Sequence, residues 1–249
     1  LASVQLPAYY LRSLDDNQKD FKIDFEWPFG AGKLAKVKIG GLYSLKDRIF
    51  DEKLFQIARS NYAEPYAGSP SEFLSEDNVG IISIDEGGDR YQIGNYLIDF
   101  TSPTNAYAGS NQEIASYGMI TSKLTSRLKA VAGARFEKTD IEVMSGDESK
   151  SFEERRGAID ESDILPVGNL IYSVSEKANL RAAYSKTLAR PNMREMAPFV
   201  SFDPLTAAFI IGNPALKRTV INNFDLRWER FMNKGEIVAI SAYYKNFRD

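Results

Sequence analysis

Alternation is the clearest pattern along the chain. From Asp20 to Trp27, Phe21, Ile23, Phe25 and Trp27 fall on one face, and Lys22, Asp24 and Glu26 fall on the other. Successive side chains of an extended backbone point to opposite faces, so a period of two predicts a half-buried strand. Pro28-Phe29-Gly30-Ala31-Gly32 then reads as a turn. A second strand is predicted from about Lys33 to Lys46, with Ala35, Val37, Ile39, Tyr43 and Leu45 on one face and Lys36 and Lys38 on the other. These two strands make a hairpin. The alternation returns over Gln112 to Lys123, where Ala115, Tyr117 and Met119 share a face. After a turn at Thr125-Ser126-Arg127 it continues over Leu128 to Met144, where Ala130, Ala132, Ala134 and Phe136 oppose Lys129, Arg135 and Glu137. Four more strands are predicted over Ile164 to Val174, Ala178 to Leu188, Thr219 to Phe231 and Glu236 to Phe247. Ser175-Glu176-Lys177 joins the first pair, and Met232 to Gly235 joins the second.

The remaining stretches are connections. Residues 1 to 17 suggest a strand end and its loop. Residues 47 to 111 are rich in Gly, Pro and Tyr, with a short helix expected over Asp51 to Ser60 and small strands over Ile81 to Ile84 and Tyr91 to Phe100. A charged loop covers 145 to 160, and a long loop covers 189 to 218. The prediction is an all-β antiparallel meander of about eight strands in which short turns alternate with long loops, so every long loop falls at one end. Transmembrane β-barrels have short periplasmic turns and longer extracellular loops. A soluble sandwich has no reason for that asymmetry.

The strand faces agree. Phe224, Leu226 and Trp228 would meet lipid, while Asn223, Asp225, Arg227 and Glu229 would line a wet lumen. Such a polar row is costly inside a dry core. Trp27 and Trp228 lie close to short turns and suit one interfacial girdle. Tyr43 and Tyr244, expected at the far ends of ascending strands, suit the other.

Composition narrows the chemistry. The 249 residues carry 31 Lys and Arg against 34 Asp and Glu, a net charge of -3, so nothing points to a nucleic-acid partner. Zero cysteines remove disulfides and thiolate metal sites. Zero histidines remove imidazole bases, Ser-His-Asp triads and His-ligated zinc, and argue against haem capture by His in this region. No apolar run approaches the ~18 residues of a membrane-spanning helix, which leaves barrel strands open because only every second position need be apolar. The chain shows no signal peptide and opens on Leu1, and is expected to be an internal piece of a longer protein.

Candidate sites are few. Arg190-Pro191 and Gly212-Asn213-Pro214 read as loop-shaping residues, since proline ends a ladder and Gly-Asn-Pro turns a chain. Glu153-Glu154-Arg155-Arg156 and Asp160-Glu161 read as a solvated loop, because adjacent residues point apart and cannot oppose one another across a cleft. Tyr62, Tyr66, Tyr91 and Tyr96, within Asn61 to Phe100, offer aromatic contact to a sugar or chelate, or loop packing alone. Asp85-Glu86-Gly87-Gly88-Asp89 lacks the ligand spacing of a Ca²⁺ loop, and no nucleotide-binding glycine motif occurs. No catalytic, cofactor-binding or metal residue is assigned, and no substrate-contacting residue is singled out.

The chain resembles the TonB-dependent outer-membrane receptors. The resemblance rests on Leu165-Pro166, on Leu180-Arg181-Ala182-Ala183-Tyr184-Ser185-Lys186-Thr187 running into Ala189-Arg190-Pro191, and on Gly212-Asn213-Pro214-Ala215-Leu216-Lys217. It continues in Asn223 to Glu229, Tyr243-Tyr244-Lys245-Asn246, Gly133 to Thr139, and Gly40-Gly41-Leu42-Tyr43 with Lys46-Asp47-Arg48. It implies that residues 1–249 are one partial domain from the wall of a barrel of roughly 22 strands with a plugged lumen. It further implies a Gram-negative outer membrane as the location and outer-membrane lipid as a partner. The implied activity is import of a scarce nutrient (siderophore-iron, cobalamin or an oligosaccharide), without cofactor or covalent chemistry. Energy would come from the TonB-ExbB-ExbD complex through a plug domain that this chain lacks. The same strand physics would serve a passive porin or an adhesin barrel, and a soluble all-β binding domain or carboxylate hydrolase is a third reading.

Overall fold

The computed structural model describes residues 8–30, 34–84, 87, 88, 90–203, 206, 208–233 and 235–248. In chain order the strands are β1 (Ala8–Phe29), β2 (Ala35–Ala58), β3 (Ile81–Ile84), β4 (Tyr91–Ile93), β5 (Tyr96–Asp99), β6 (Tyr107–Lys123), β7 (Leu128–Ser145), β8 (Arg156–Ser175), β9 (Ala178–Ala189), β10 (Val200–Asp203), β11 (Ala208–Ile211), β12 (Thr219–Phe231) and β13 (Ile237–Arg248). Two single-turn helices, α1 (Pro70–Phe73) and α2 (Met193–Met196), lie in the long connections. One antiparallel sheet runs in the order β1-β2-β6-β7-β8-β9-β12-β13. Its far end is extended by β5, which pairs with Phe55 to Ala58 of β2 above the last β2–β6 pair, Phe50 with Tyr107. The pairs β3–β4 and β10–β11 are small hairpins within the connections. Among the described residues β1 pairs only with β2, and β13 only with β12, so the wall is open at both edges.

Register fixes which side chains share a face, because residues directly opposite in an antiparallel pair point the same way. Phe21 lies opposite Tyr43, which lies opposite Ile114. Phe136 faces Ile164, and Tyr184, Phe224 and Tyr244 form one row across β9, β12 and β13. Lower in the wall, Trp27, Val37, Ile120 and Ala132 continue one row, and Leu180, Trp228 and Ile240 another. This face is apolar from Phe21 to Phe29 in β1 and from Leu128 to Phe136 in β7. Nine residues at ~3.3 Å each, tilted by ~40°, make a band about 20–25 Å tall, the height expected of a lipid-facing belt. Above it the same face turns polar at Lys138, Asp160, Lys186, Asn222 and Asn246.

The large apolar side chains of this face are exposed. Trp27 is 75% exposed and Ile240 69% exposed. The total accessible surface is 17059 Å², against about 11,000 Å² expected of a compact soluble monomer of this mass, because an open wall leaves both faces and both edge strands uncovered. An apolar belt of this extent is unstable in water and stable in lipid. No helix is long and apolar enough to cross a membrane, which bears on helices alone.

Several boundaries move. Asp51 to Ala58, expected as helix, is the upper part of β2. Glu, Lys, Leu and Gln there favour helix locally, but ladders to β1 and β5 decide the outcome. Of the strand end and loop expected over residues 1 to 17, residues 8–17 are all strand, the upper part of β1, whereas residues 1–7 lie outside the described residues. Because β2 runs on to Ala58, Tyr43 sits in mid-strand, yet it is level with Phe21 at the upper edge of the belt. The charged loop is shorter than expected, since β8 begins at Arg156, and β6 begins at Tyr107. Tyr91 to Phe100 is two strands, broken at Gly94-Asn95.

Candidate functional site

The opposite face of the wall is polar. Its charges are matched both along a strand, between residues two apart, and across neighbouring strands, where side chains come within reach. Arg135 bridges Glu113 and Glu137, both at 2.6 Å. Glu229 accepts from Arg181 at 2.6 Å and Arg227 at 3.1 Å. Asp16 holds Lys46 at 3.2 Å and also Arg48, while Tyr117 donates to Asp24. These are the lumen-facing rows expected from Asn223, Asp225, Arg227 and Glu229, continued through the sheet.

The connection between β9 and β12 folds onto this polar face. Asn192 and Glu195 form a capping box around α2: Glu195 N donates to Asn192 Oδ1 at 3.0 Å, and Asn192 N donates to Glu195 Oε2 at 2.9 Å. The box satisfies amides that an isolated turn would leave open. It also presents Met193 and Met196 to the wall. With Ala197 and Phe199 they form a buried cluster against Tyr107, Ile141, Val143 and Ile159, flanked by Phe50. The Phe199 ring lies 4.8 Å from Tyr107 and 5.5 Å from Phe50. This cluster is the largest buried apolar core among the described residues, and it joins a loop to a wall rather than one sheet to another.

Small residues make the contact possible. A Cβ at Gly109 would lie 3.1 Å from Met193 Sδ, and one at Gly157 would lie 3.0 Å from the Met196 carbonyl. At Gly212 it would fall inside the Ala197 carbonyl oxygen. Asn213 N donates to Glu195 O at 2.7 Å, and Asn213 Oδ1 accepts from Ala215 N at 3.0 Å. The Gly-Asn-Pro motif therefore does shape the loop, and it also seals the loop against α2. Arg190, just after β9, pairs with Glu137. Arg218, just before β12, pairs with Asp163 at 2.7 Å and Glu161 at 3.2 Å. Two arginines thus pin the two ends of the loop to the polar face.

The two motifs that look separate in sequence line one cavity of about 760 Å³. Arg190, Arg194 and Lys217 outnumber Glu195 there, beside the apolar Ile210 and Ile211. Such a concavity suits a ligand that is anionic and partly apolar. It holds no nucleophile paired with a base, and among the described residues no group of three acidic side chains is arranged to hold a metal.

The other sequence candidates lie apart. Asp160 pairs with Lys138 on the belt-side face at 3.3 Å, while neighbouring Glu161 turns to Arg218. Arg156 pairs with Glu142 at 2.9 Å, and Glu154 accepts from Ser151 Oγ at 2.7 Å, which holds its carboxyl below the ordinary glutamate range. Asp147 is held low in the same way, by Ser149 Oγ at 2.5 Å. Tyr62, Tyr66, Tyr91 and Tyr96 are all exposed and do not converge on a single pocket. Their loop is organised by buried asparagines that sequence reasoning missed. Asn78 and Asn95 both donate to the Phe73 carbonyl, at 3.0 and 2.8 Å, and Asn95 N donates to Asn78 O at 2.8 Å. Of the acidic run at 85–89, Asp85, Glu86 and Asp89 lie outside the described residues.

The fold is shared with solved receptors. The alcaligin outer-membrane receptor FauA from Bordetella pertussis is 13% identical over 96% of this chain and 30% of that chain, with a TM-score of 0.54. The ferric citrate transporter FecA, unliganded, is 12% identical over 96% and 29%, at 0.57. The ferric yersiniabactin uptake receptor FyuA from Yersinia pestis is 12% identical over 99% and 30%, at 0.51. The chain thus spans about 30% of the length of the receptors it matches. No curated protein sequence matches it. The family model described as TonB dependent receptor-like, beta-barrel, matches residues 4–249, and with that the meander, the belt and the infolded loop have a common explanation: the chain belongs to the TonB-dependent receptor β-barrel family.

Proposed function

We propose that residues 1–249 are one partial barrel domain of an outer-membrane receptor that binds and imports a scarce nutrient. Transport is driven by TonB-ExbB-ExbD through a plug domain outside this chain, and no covalent chemistry takes place on the nutrient. The observation that carries the reading is the loop between β9 and β12. It is packed onto the polar face through Met193, Met196 and Phe199 and surrounds a cation-rich cavity. A ligand entering from the loop side meets Arg194 and Lys217, while Arg190 is already committed to Glu137. Anionic chelates of iron are the first class to test, since the solved neighbours include receptors named for alcaligin, ferric citrate and ferric yersiniabactin. Cobalamin and oligosaccharides are the further classes.

The test is uptake of radiolabelled ferric chelates by cells that carry or lack the full-length receptor, with the proton gradient intact or collapsed. Receptor-dependent and gradient-dependent uptake supports the proposal. Uptake that survives collapse of the gradient identifies a passive porin instead. A receptor that takes up nothing but mediates attachment of cells identifies an adhesin.

A further inference from the structure

A second concavity opens on the outer side of the wall, well above the belt. Successive residues of a strand alternate between faces, so Tyr9, Leu11, Phe55 and Ile57 point the same way as Phe21 and Tyr43. Leu97 of β5 lies opposite Ile57 and shares that face. Between the belt and this apolar patch the face turns polar, at Ser13, Asp15, Asn17 and Lys19 in β1 and at Asp47 and Asp51 in β2. From Phe21 up to Leu11, at ~3.3 Å per residue and a ~40° tilt, the rise is about 25 Å, beyond the reach of the acyl chains that cover the belt.

The connection after β2 folds against this patch and leaves a cavity of about 400 Å³ with an almost wholly apolar lining. Leu11, Phe55, Ile57 and Leu97 come from the wall, and Leu74 and Val79 come from the connection. One fully buried polar residue, Asn95, also lines it. Most of its hydrogen-bonding capacity is committed. Asn95 N donates to Asn78 O at 2.8 Å, Gly80 N donates to Asn95 O at 2.9 Å, and Asn95 Nδ2 donates to Phe73 O at 2.8 Å. A carbonyl can only accept, so the amide must turn Nδ2 toward Phe73 and Oδ1 away from it. Phe73 is not part of the cavity wall, and Oδ1, on the far side of the amide, has no hydrogen-bond partner.

We propose that this cavity binds a small neutral molecule of one or two fused aromatic rings carrying a single O–H or N–H group, which donates to Asn95 Oδ1. The volume is that of a small-ligand pocket, and an apolar lining with one placed polar group is the usual composition of such sites. A charged ligand is disfavoured, because no cation or carboxylate lines the cavity to offset its desolvation. Water is a poor occupant, since an ordered buried water makes about three hydrogen bonds and here meets one open acceptor. An acyl chain would fill the apolar space but bring no donor. The site lies on the outside of the wall, apart from the cation-rich cavity of Arg194 and Lys217 on the polar face, so it is a binding function separate from the import path.

The test is calorimetry on the full-length receptor in lipid nanodiscs, with 2-naphthol as the probe and receptor-free nanodiscs as the baseline. Wild-type receptor is expected to bind 2-naphthol saturably, one molecule per receptor. 2-Methoxynaphthalene keeps the rings but lacks the donor, and is expected to bind at least tenfold more weakly. Leu97→Asp and Leu11→Asp each place a carboxylate in the lining, and each is expected to weaken 2-naphthol binding at least tenfold while heat-modified gel mobility shows a folded barrel. Absence of saturable binding, equal affinity for the two compounds, or unchanged affinity in a folded variant would each overturn the assignment. The comparison of the two compounds uses wild-type receptor alone, so it decides the matter even where a substitution prevents folding.

Discussion

Arg218 Nε lies 2.7 Å from Asp163 Oδ2, and the Asp163 side chain keeps only 4% of its surface exposed. The pair joins the end of the long loop to β8 at the level where β8 and β9 separate. Removing one partner of a fully buried pair typically costs about 3–5 kcal/mol, because the other charge is left without compensation. Arg218 retains 20% exposure, so the expected cost of Arg218→Met is smaller, about 1–3 kcal/mol of local stability. Limited proteolysis of the full-length receptor should show cleavage within residues 198–217 accelerated about tenfold. Unchanged cleavage would mean that the hydrophobic cluster alone retains the loop.

Gly212 provides a sharper steric test. Its φ is not in the left-handed region, so alanine is not excluded by backbone conformation. The obstacle is the Ala197 carbonyl oxygen, a backbone atom that cannot rotate away. Gly212→Ala should destabilise the loop by about 1–3 kcal/mol, as overpacking does in other tight contacts. Gly168→Ala, where the added carbon meets nothing within 4 Å, serves as the control. Amide exchange at Asn213, whose N–H donates to Glu195 O, reads the difference directly.

The wall was legible in the sequence because its signal is local. A period of two needs no knowledge of partners, and Phe224-Asp225-Leu226-Arg227-Trp228-Glu229 announces both faces by itself. The site was less legible because it depends on register. Nothing near Arg190 in sequence points to Glu137, and Gly109 and Gly157 become necessary only once Met193 and Met196 lie on them. Asn192 and Glu195 did carry a readable signal, the capping-box spacing. The 51–58 segment failed for the converse reason, since its local preference is helical and only β1 and β5 reveal it as strand.

The loop after β7 should respond to acid. Asp147 accepts from Ser149 Oγ and N, and hydrogen bonding to Ser149 is the main reason its carboxyl lies below the ordinary aspartate range. A group whose folded pKa is depressed contributes stability above its unfolded value, about 3.9. That contribution is lost as pH falls through the folded value. Exchange of the Ser149 amide, followed from pH 5 to pH 2 and corrected for intrinsic rates, should lose protection within this window. Asp147→Asn should be insensitive to pH there, and a wild-type profile as flat as the variant's would remove the carboxylate from the account.

The assignment of faces makes the most demanding prediction, because adjacent residues should behave oppositely. Leu226 lies between Ala182 and Ala242 in the belt, while Arg227 lies on the polar face beside Glu229. Arginine on the lipid face costs about 2–4 kcal/mol near the bilayer midplane and much less near the interfaces. Leu226 stands two residues below the aromatic row, so Leu226→Arg should destabilise the folded full-length barrel in vesicles by about 2 kcal/mol or more. Arg227→Leu removes one of two cations from Glu229 but leaves Arg181 at 2.6 Å, so its effect should stay near about 1 kcal/mol. Reversible unfolding from phospholipid vesicles measures both. If Arg227→Leu proved the more damaging, the belt would be on the wrong side of the wall, since a one-residue shift in facing exchanges every lipid contact for a lumen contact.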